Sequence, residues 1–295
     1  MANSTATPRK TSPGGARAPS TRTLRTGGTK SPRPAPASAR APLGERRYAW
    51  VSQRPLHVLV FLLPLVIAYE VGSAMYLFGE SSTGETIRAH EQLSRVLGAF
   101  GTSGLGVFLP GALLIAVLLT WHVLSKDPWR LRASVLGGML VESILWTVPL
   151  LVLGAMAQRV ANETLSAAAV NGANAIASTP TPTELTLASG AGLYEELLFR
   201  LFGIAAAHFV LADLFKMKPR PAIVVAVAIS AVAFALYHDA TVFSGGAGGV
   251  GGLDAERFAF LTIAGVYLGG IFVLRGFGIV VAAHAFYDIV VFLAS

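Results

Sequence analysis

Three short stretches carry ionisable side chains where the neighbours are almost all apolar. Glu195, Glu196 and Arg200 lie in Leu193-Tyr194-Glu195-Glu196-Leu197-Leu198-Phe199-Arg200, His238 ends Phe234-Ala235-Leu236-Tyr237-His238, and His284 and Asp288 bound His284-Ala285-Phe286-Tyr287-Asp288. An ionisable group near the middle of a bilayer costs roughly 2.5 to 3.5 kcal/mol on insertion scales, so such groups face a protein interior and act there. Glu196 and Arg200 are four residues apart with the acid first, the favoured order on a helix, so they are expected to neutralise each other as a structural unit. Glu195, turned by about 100° on the helix, is free for another partner. His284 and Asp288 share a helix face, as do Phe234 and His238. Two histidines and two or three carboxylates from three helices suit zinc or a similar divalent ion, with Glu195, His238, His284 and Asp288 as the expected ligands.

Such a set can hydrolyse an amide. A bound metal lowers the pKa of its water and polarises the carbonyl, while a carboxylate takes the proton and delivers it to the leaving amine. Glu195 is the candidate base. Asp288 is either a further ligand or the group that orients His284 or the substrate carbonyl, and spacing leaves both roles open.

Glu-Glu-x-x-x-Arg at Glu195, Glu196 and Arg200, Phe-x-x-x-His at Phe234 and His238, and His-x-x-x-Asp at His284 and Asp288 resemble, in order, the three motifs of the CPBP intramembrane proteases. That family includes the CAAX prenyl endopeptidases and the bacterial Abi-type proteins. The resemblance covers roughly Ala188 to Ser295; the first three helices share only hydrophobicity. It implies a membrane-embedded endopeptidase in which Glu195 activates water and His238 and His284 complete the site. The implied substrate is a peptide or protein, membrane-anchored or lipidated. The family's last motif often ends in Asn, whereas this chain has Asp288, whose added negative charge favours a cation over a neutral hydrogen-bond donor.

These residues need elements that bring them together inside a membrane. The 295-residue chain is 53% hydrophobic and only 13% charged, against about 25% charged in ordinary globular domains. It reads as all-α, a polytopic helical bundle with about seven spanning segments of some 20 residues each. They are Pro55 to Phe78, Gly104 to Leu124, Ala133 to Ala157, Ala188 to Leu211, Ala222 to His238, Phe258 to Leu274 and Gly278 to Ala294. Cysteine is absent, which excludes disulfides, Cys-based metal sites and thiol catalysis.

Residues 1–54 form a separate region, with eleven Lys and Arg against Glu45, a formal +10 that leaves −3 for residues 55–295. Rich in Pro, Ser, Thr, Gly and Ala, this tail cannot bury enough surface to order itself and reads as disordered. It is expected to be a solvated arm that holds the N-terminus on the cytoplasmic side of an inner or plasma membrane; the lipid bilayer is a partner of the chain as a whole, and no nucleic acid is expected. With the N-terminus inside, Lys126, Arg130, Arg132, Lys216, Lys218, Arg220 and Arg275 fall in inner loops, as the positive-inside rule asks.

Competing readings have their own residues. A non-catalytic scaffold, or an ion- or proton-coupled transporter, would use the same buried charges for packing or coupling. Gly101-Thr102-Ser103-Gly104 resembles a rhomboid serine-protease motif with Ser103 as nucleophile, but that reading leaves Glu195, Glu196 and His238 without a role. His90-Glu91-Gln92-Leu93-Ser94 lacks the second His of a zincin. His57, His90, His122 and His208 are assigned to interfaces or loops, and Glu142 is expected to share Arg200 or carry protons. Gly265 and Gly269 read as a close-packing pair, and Gly245 to Gly252 as a connector or lid. With a fourth helix starting at Ala188, Glu195 and His238 fall toward one leaflet and His284 toward the other. One site then requires tilted, broken or re-registered helices, or a helix hidden between Gln158 and Ser189.

Overall fold

The computed structural model describes residues 48–77, 109–166, 181–238 and 255–294. The basic tail before residue 48, Ser103 and His90, and the glycine-rich stretch at 245–252 lie outside them.

After a helical turn at 48–51, the described residues form seven helices and no strand. α1 is Pro55–Gly72 with a wider π turn at Ser73–Leu77; α2 is Leu109–Ser125 and α3 is Ala133–Ser166. α4 is the composite helix Pro182–Leu214, followed by α5, Pro219–His238, α6, Ala255–Arg275, and α7, Phe277–Ala294. Six are long and apolar enough to cross a membrane, and α2 is a shorter apolar helix. The large apolar side chains left exposed, such as Ile67, Val141, Leu145, Val224 and Ile263, are spread over the outer faces, as expected where lipid replaces water.

α4 begins earlier than its apolar run suggests. Thr181 caps it: the Thr181 hydroxyl accepts the Glu184 backbone N–H at 3.2 Å, and the Glu184 carboxylate accepts the Thr181 backbone N–H at 2.7 Å. Pro182 follows at the first helical position, where its missing N–H costs nothing. Within residues 158–189 the structure places the end of α3 and this start of α4; 167–180 lie outside the described residues. The earlier start puts Glu195 about 20 Å along the helix from Pro182 and removes the depth conflict with His284.

Close approaches fix how the helices meet. A Cβ on Gly265 would lie 2.9 Å from the Ala231 Cα, and one on Gly269 2.8 Å from Val227, so the expected small-residue pair does seat α6 on α5. Gly276 makes the short turn between α6 and α7 at φ +85, a conformation that suits glycine. Tyr267 donates to the Trp146 carbonyl at 2.7 Å, and Thr147 to the Ala283 carbonyl at 3.1 Å, joining α3 to α6 and α7.

Glu142 is not with Arg200. It accepts two hydrogen bonds from Arg275, one from Tyr48 at 2.7 Å and one from Trp146 at 3.2 Å. Similar depth along two helices says nothing of which helix face a group occupies. Burial and the Glu142 carboxylate push the Tyr48 phenol up, so it stays a donor. His57 and His122 also depart from expectation: at 2% and 1% exposure they are buried, although they stand at the ends of α1 and α2. Trp129 covers His122 edge-on at 4.3 Å, and an Arg54–Asp127 ion pair at 3.5 Å lies close by in the chain. His208 is partly buried on α4.

Candidate active site

α4 leaves regular α geometry around Glu195, Glu196 and Arg200. Ala191–Glu195 and Leu197–Ile204 are π-helical, a form that is rare except as short insertions and frequent at functional sites. One carbonyl of this loosened stretch, that of Phe199, accepts the Ser230 hydroxyl of α5 at 2.7 Å. On the side facing α7, Gly192 lets the two backbones nearly touch. A Cβ there would lie 2.7 Å from the Ala285 Cβ, 2.8 Å from the Ala285 nitrogen and 2.9 Å from the Val281 carbonyl.

That approach brings His284 onto Glu196, with Nδ1 2.7 Å from Oε1. Arg200 NH1 is 3.0 Å from the same oxygen, and both Glu196 and Arg200 are fully buried, so the expected neutralised pair is present with His284 as a third member. The guanidinium lies over the Phe234 ring at 4.4 Å, within cation–π range. Phe234 is the hub of the cluster: it also packs on His238 at 4.4 Å, Phe199 at 5.4 Å and His284 at 6.1 Å. Its place in Phe-x-x-x-His therefore has a packing cause.

Glu195 takes the other direction. Its Oε2 is 3.3 Å from His238 Nε2, while His238 Nδ1 is 2.9 Å from the Phe234 carbonyl. A carbonyl only accepts, so Nδ1 carries a hydrogen, and Nε2 is the ring nitrogen turned to Glu195. His284 Nε2 is 3.5 Å from Asp288 Oδ2. The six residues thus make two histidine–carboxylate pairs, Glu195 with His238 and His284 with Asp288, backed by Glu196 and Arg200.

Glu195, His238 and Asp288 line a single cavity of about 400 Å³, whose other walls include Leu187, Ala188, Tyr237, Val291 and Phe292. His284 is behind this wall, between Asp288 and Glu196. The lining draws on the start of α4, the end of α5, the start of α6 and the end of α7, so these four termini share one end of the bundle.

The side chains present bear on whether the site fits a metal ion. Each histidine has Nδ1 engaged by a carbonyl or carboxylate and Nε2 turned elsewhere, the arrangement that orients metal-binding imidazoles. Yet among the described residues no group of three or more His, Asp or Glu side chains is placed to hold an ion. Glu195, His238, His284 and Asp288 are arranged as two pairs.

Two supporting residues were not singled out as such. Tyr194 donates to Glu70 of α1 at 2.7 Å, so the residue just before Glu195 is tied to the first helix. Gly192 gave no sign of its role because its partner lies 89 to 93 residues away, at Val281 and Ala285.

A helical multi-pass membrane protein with a buried Glu–His cluster opening to a cavity at one end of its bundle is built for chemistry within or beside the bilayer. Residues 177–290 match the family model described as type II CAAX prenyl endopeptidase Rce1-like, and carry an Rce1-like domain of the CPBP family that the motifs resemble. The matched segment contains all six site residues and excludes α1, α2 and α3. No curated protein and no solved structure matches the chain. An Rce1-like domain supports intramembrane proteolysis as the activity and a protein or peptide as the substrate.

Proposed function

We propose that this protein is an intramembrane endopeptidase in which Glu195 activates a water against His238 for attack on a peptide carbonyl. The observation that carries the proposal is the shared cavity: Glu195, His238 and Asp288 line one space, on three different helices. Glu195 Oε2 and His238 Nε2 meet 3.3 Å apart at the cavity wall, and a water that donates one hydrogen to the Glu195 carboxylate beside His238 keeps a lone pair for the carbonyl carbon. Glu195 takes the proton as the C–O bond forms and passes it to the nitrogen as the C–N bond breaks.

Asp288 faces the same space with His284 behind it. Protonated on the oxygen that His284 does not face, Asp288 would donate to the carbonyl oxygen, where negative charge develops. Glu196 and Arg200 hold His284 in place: the Nδ1–H donated to Glu196 sets the tautomer and aims Nε2 at Asp288.

No step of this route passes through a metal ion. The zinc expected from the residue types is a separate proposal with its own measurement, metal content per purified chain in the wild type, His238→Ala and His284→Ala. Stoichiometric zinc lost in both variants would establish it.

The substrate we propose is membrane-anchored or lipidated, because the cavity is walled by the ends of apolar spanning helices. Glu195→Gln tests the whole reading against a scaffold or transporter: the variant should insert and fold yet lose cleavage of a membrane-anchored peptide in liposomes. Undiminished cleavage would end the proposal.

A further inference from the structure

The end of the bundle opposite the hydrolytic cavity holds the starts of α1, α3, α5 and α7 and the ends of α2, α4 and α6. Gln53, just before α1, donates to the Leu274 carbonyl at 3.4 Å and faces Gly276 between α6 and α7. Arg54 pairs with Asp127 beyond α2 at 3.5 Å, and Met139 near the start of α3 faces Gly278 of α7. α5 runs antiparallel to α6, since Gly265 meets Ala231 and Gly269 meets Val227.

Two stretches at this end, 126–132 and 214–220, expose six cations: Lys126, Arg130, Arg132, Lys216, Lys218 and Arg220. None of the six enters an ion pair among the described residues; the acids beside them are Asp127, engaged by Arg54, and Asp213. Exposed Trp129, Leu131, Phe215 and Met217 alternate with the cations. The helix starts point the same way. A helix start is the positive end of the dipole and favours acids, and α4 and α6, which start at the cavity end, have Glu184 and Glu256 in their first turns. α1, α3, α5 and α7 have no acid in the first turn, and a cation precedes each within two residues: Arg54, Arg132, Lys218 and Arg275. Lys126 and Lys216, after the ends of α2 and α4, stand at φ 52 and φ 56. Glycine adopts that conformation freely and is the usual residue there, so both positions keep a charge against the preference of the backbone.

We infer that this end is a docking surface for the headgroups of anionic phospholipids, gripped by the two stretches together. A layer of negatively charged headgroups complements the six cations and the four helix starts at once, and the apolar side chains between the cations meet the acyl chains beneath. Phosphatidylcholine, whose headgroup has no net charge, lacks that complementarity. The inference does not depend on the peptidase reading.

The test titrates dioleoylphosphatidylglycerol or dioleoylphosphatidylcholine into the purified full-length protein in detergent. Native mass spectrometry counts the bound lipid, and thermal unfolding is measured alongside. A Lys or Arg near an anionic surface is worth about fivefold in affinity. The wild type should prefer phosphatidylglycerol at least about tenfold at low salt, and the preference should shrink as added salt screens it. Replacing Lys126, Arg130 and Arg132 together by Gln, or Lys216, Lys218 and Arg220 together by Gln, should bring the preference to about twofold or less. Residues 1–54 are unchanged in these variants, so the charges of the tail contribute equally to all. Arg159→Gln, an exposed cation toward the other end of α3, should leave the preference intact. Lys216→Gly separates charge from folding: without anionic lipid it should unfold no earlier than the wild type, because glycine relaxes the backbone, yet its preference should fall about fivefold. Equal wild-type affinity for the two lipids, or a preference that survives both triple replacements, would overturn the inference.

Discussion

The Gly192 contact gives the sharpest test of how the site is assembled, because Gly192→Ala adds one methyl group and no charge. That Cβ would face the Ala285 Cβ at 2.7 Å, the Ala285 nitrogen at 2.8 Å and the Val281 carbonyl at 2.9 Å. Two of those neighbours are backbone and cannot swing away, while ordinary contact begins at 3.4 Å, so α4 and α7 must part by about 0.5 to 0.7 Å. Overpacking of this kind typically costs about 1 to 3 kcal/mol. The functional cost should be of similar size, about a hundredfold in rate or some 2.7 kcal/mol. The 2.7 Å His284–Glu196 contact spans the same seam, and a shift approaching 1 Å can cost about a hundredfold in rate where groups must be aligned. The assay is the rate of peptide cleavage in liposomes per folded molecule, with thermal unfolding measured alongside. Gly270→Ala is the control, since a Cβ there meets nothing within 4 Å. Activity of Gly192→Ala within twofold of the control would refute the claim that this approach aligns the catalytic helices.

Other outcomes follow from the same geometry. Glu195→Gln should lower kcat by about 10² to 10⁴, the usual worth of a general base, with thermal stability little changed; a KM effect alone would argue for a binding role. Arg200→Met leaves the fully buried Glu196 without its guanidinium and should destabilise by about 3 to 5 kcal/mol, measured by chemical unfolding in detergent. Combining it with Glu196→Gln should recover much of that loss, and no recovery would contradict the pairing. Glu142→Gln weakens the link from α3 to Arg275 and Tyr48 and should cost about 2 kcal/mol while leaving cleavage per folded molecule intact. A loss of turnover there would bring Glu142 into the chemistry.

The helical bundle was legible in the chain because bilayer thickness imposes runs of about 20 apolar residues, and all seven expected segments reappear as helices among the described residues. Boundaries were less so: the start of α4 was written in Thr181-Pro182-Thr183-Glu184, a capping signal that hydropathy overlooks because it is polar. Spacing of four along one helix was enough to pair Glu196 with Arg200, a local relation that needs no knowledge of neighbours. It could not tell that His284 would join them, that Glu142 would go to Arg275, or that buried His57 and His122 would be covered at helix ends, since each depends on which faces of distant segments meet.

The division between sequence and tertiary structure therefore falls between what one helix determines and what two helices determine. Residue type and helical period name the six polar groups. The close approach at Gly192, the π turns of α4 and the stacking on Phe234 arrange those groups as two pairs around a cavity. Those contacts arise from packing between segments far apart in the chain, where local periodicity carries no information.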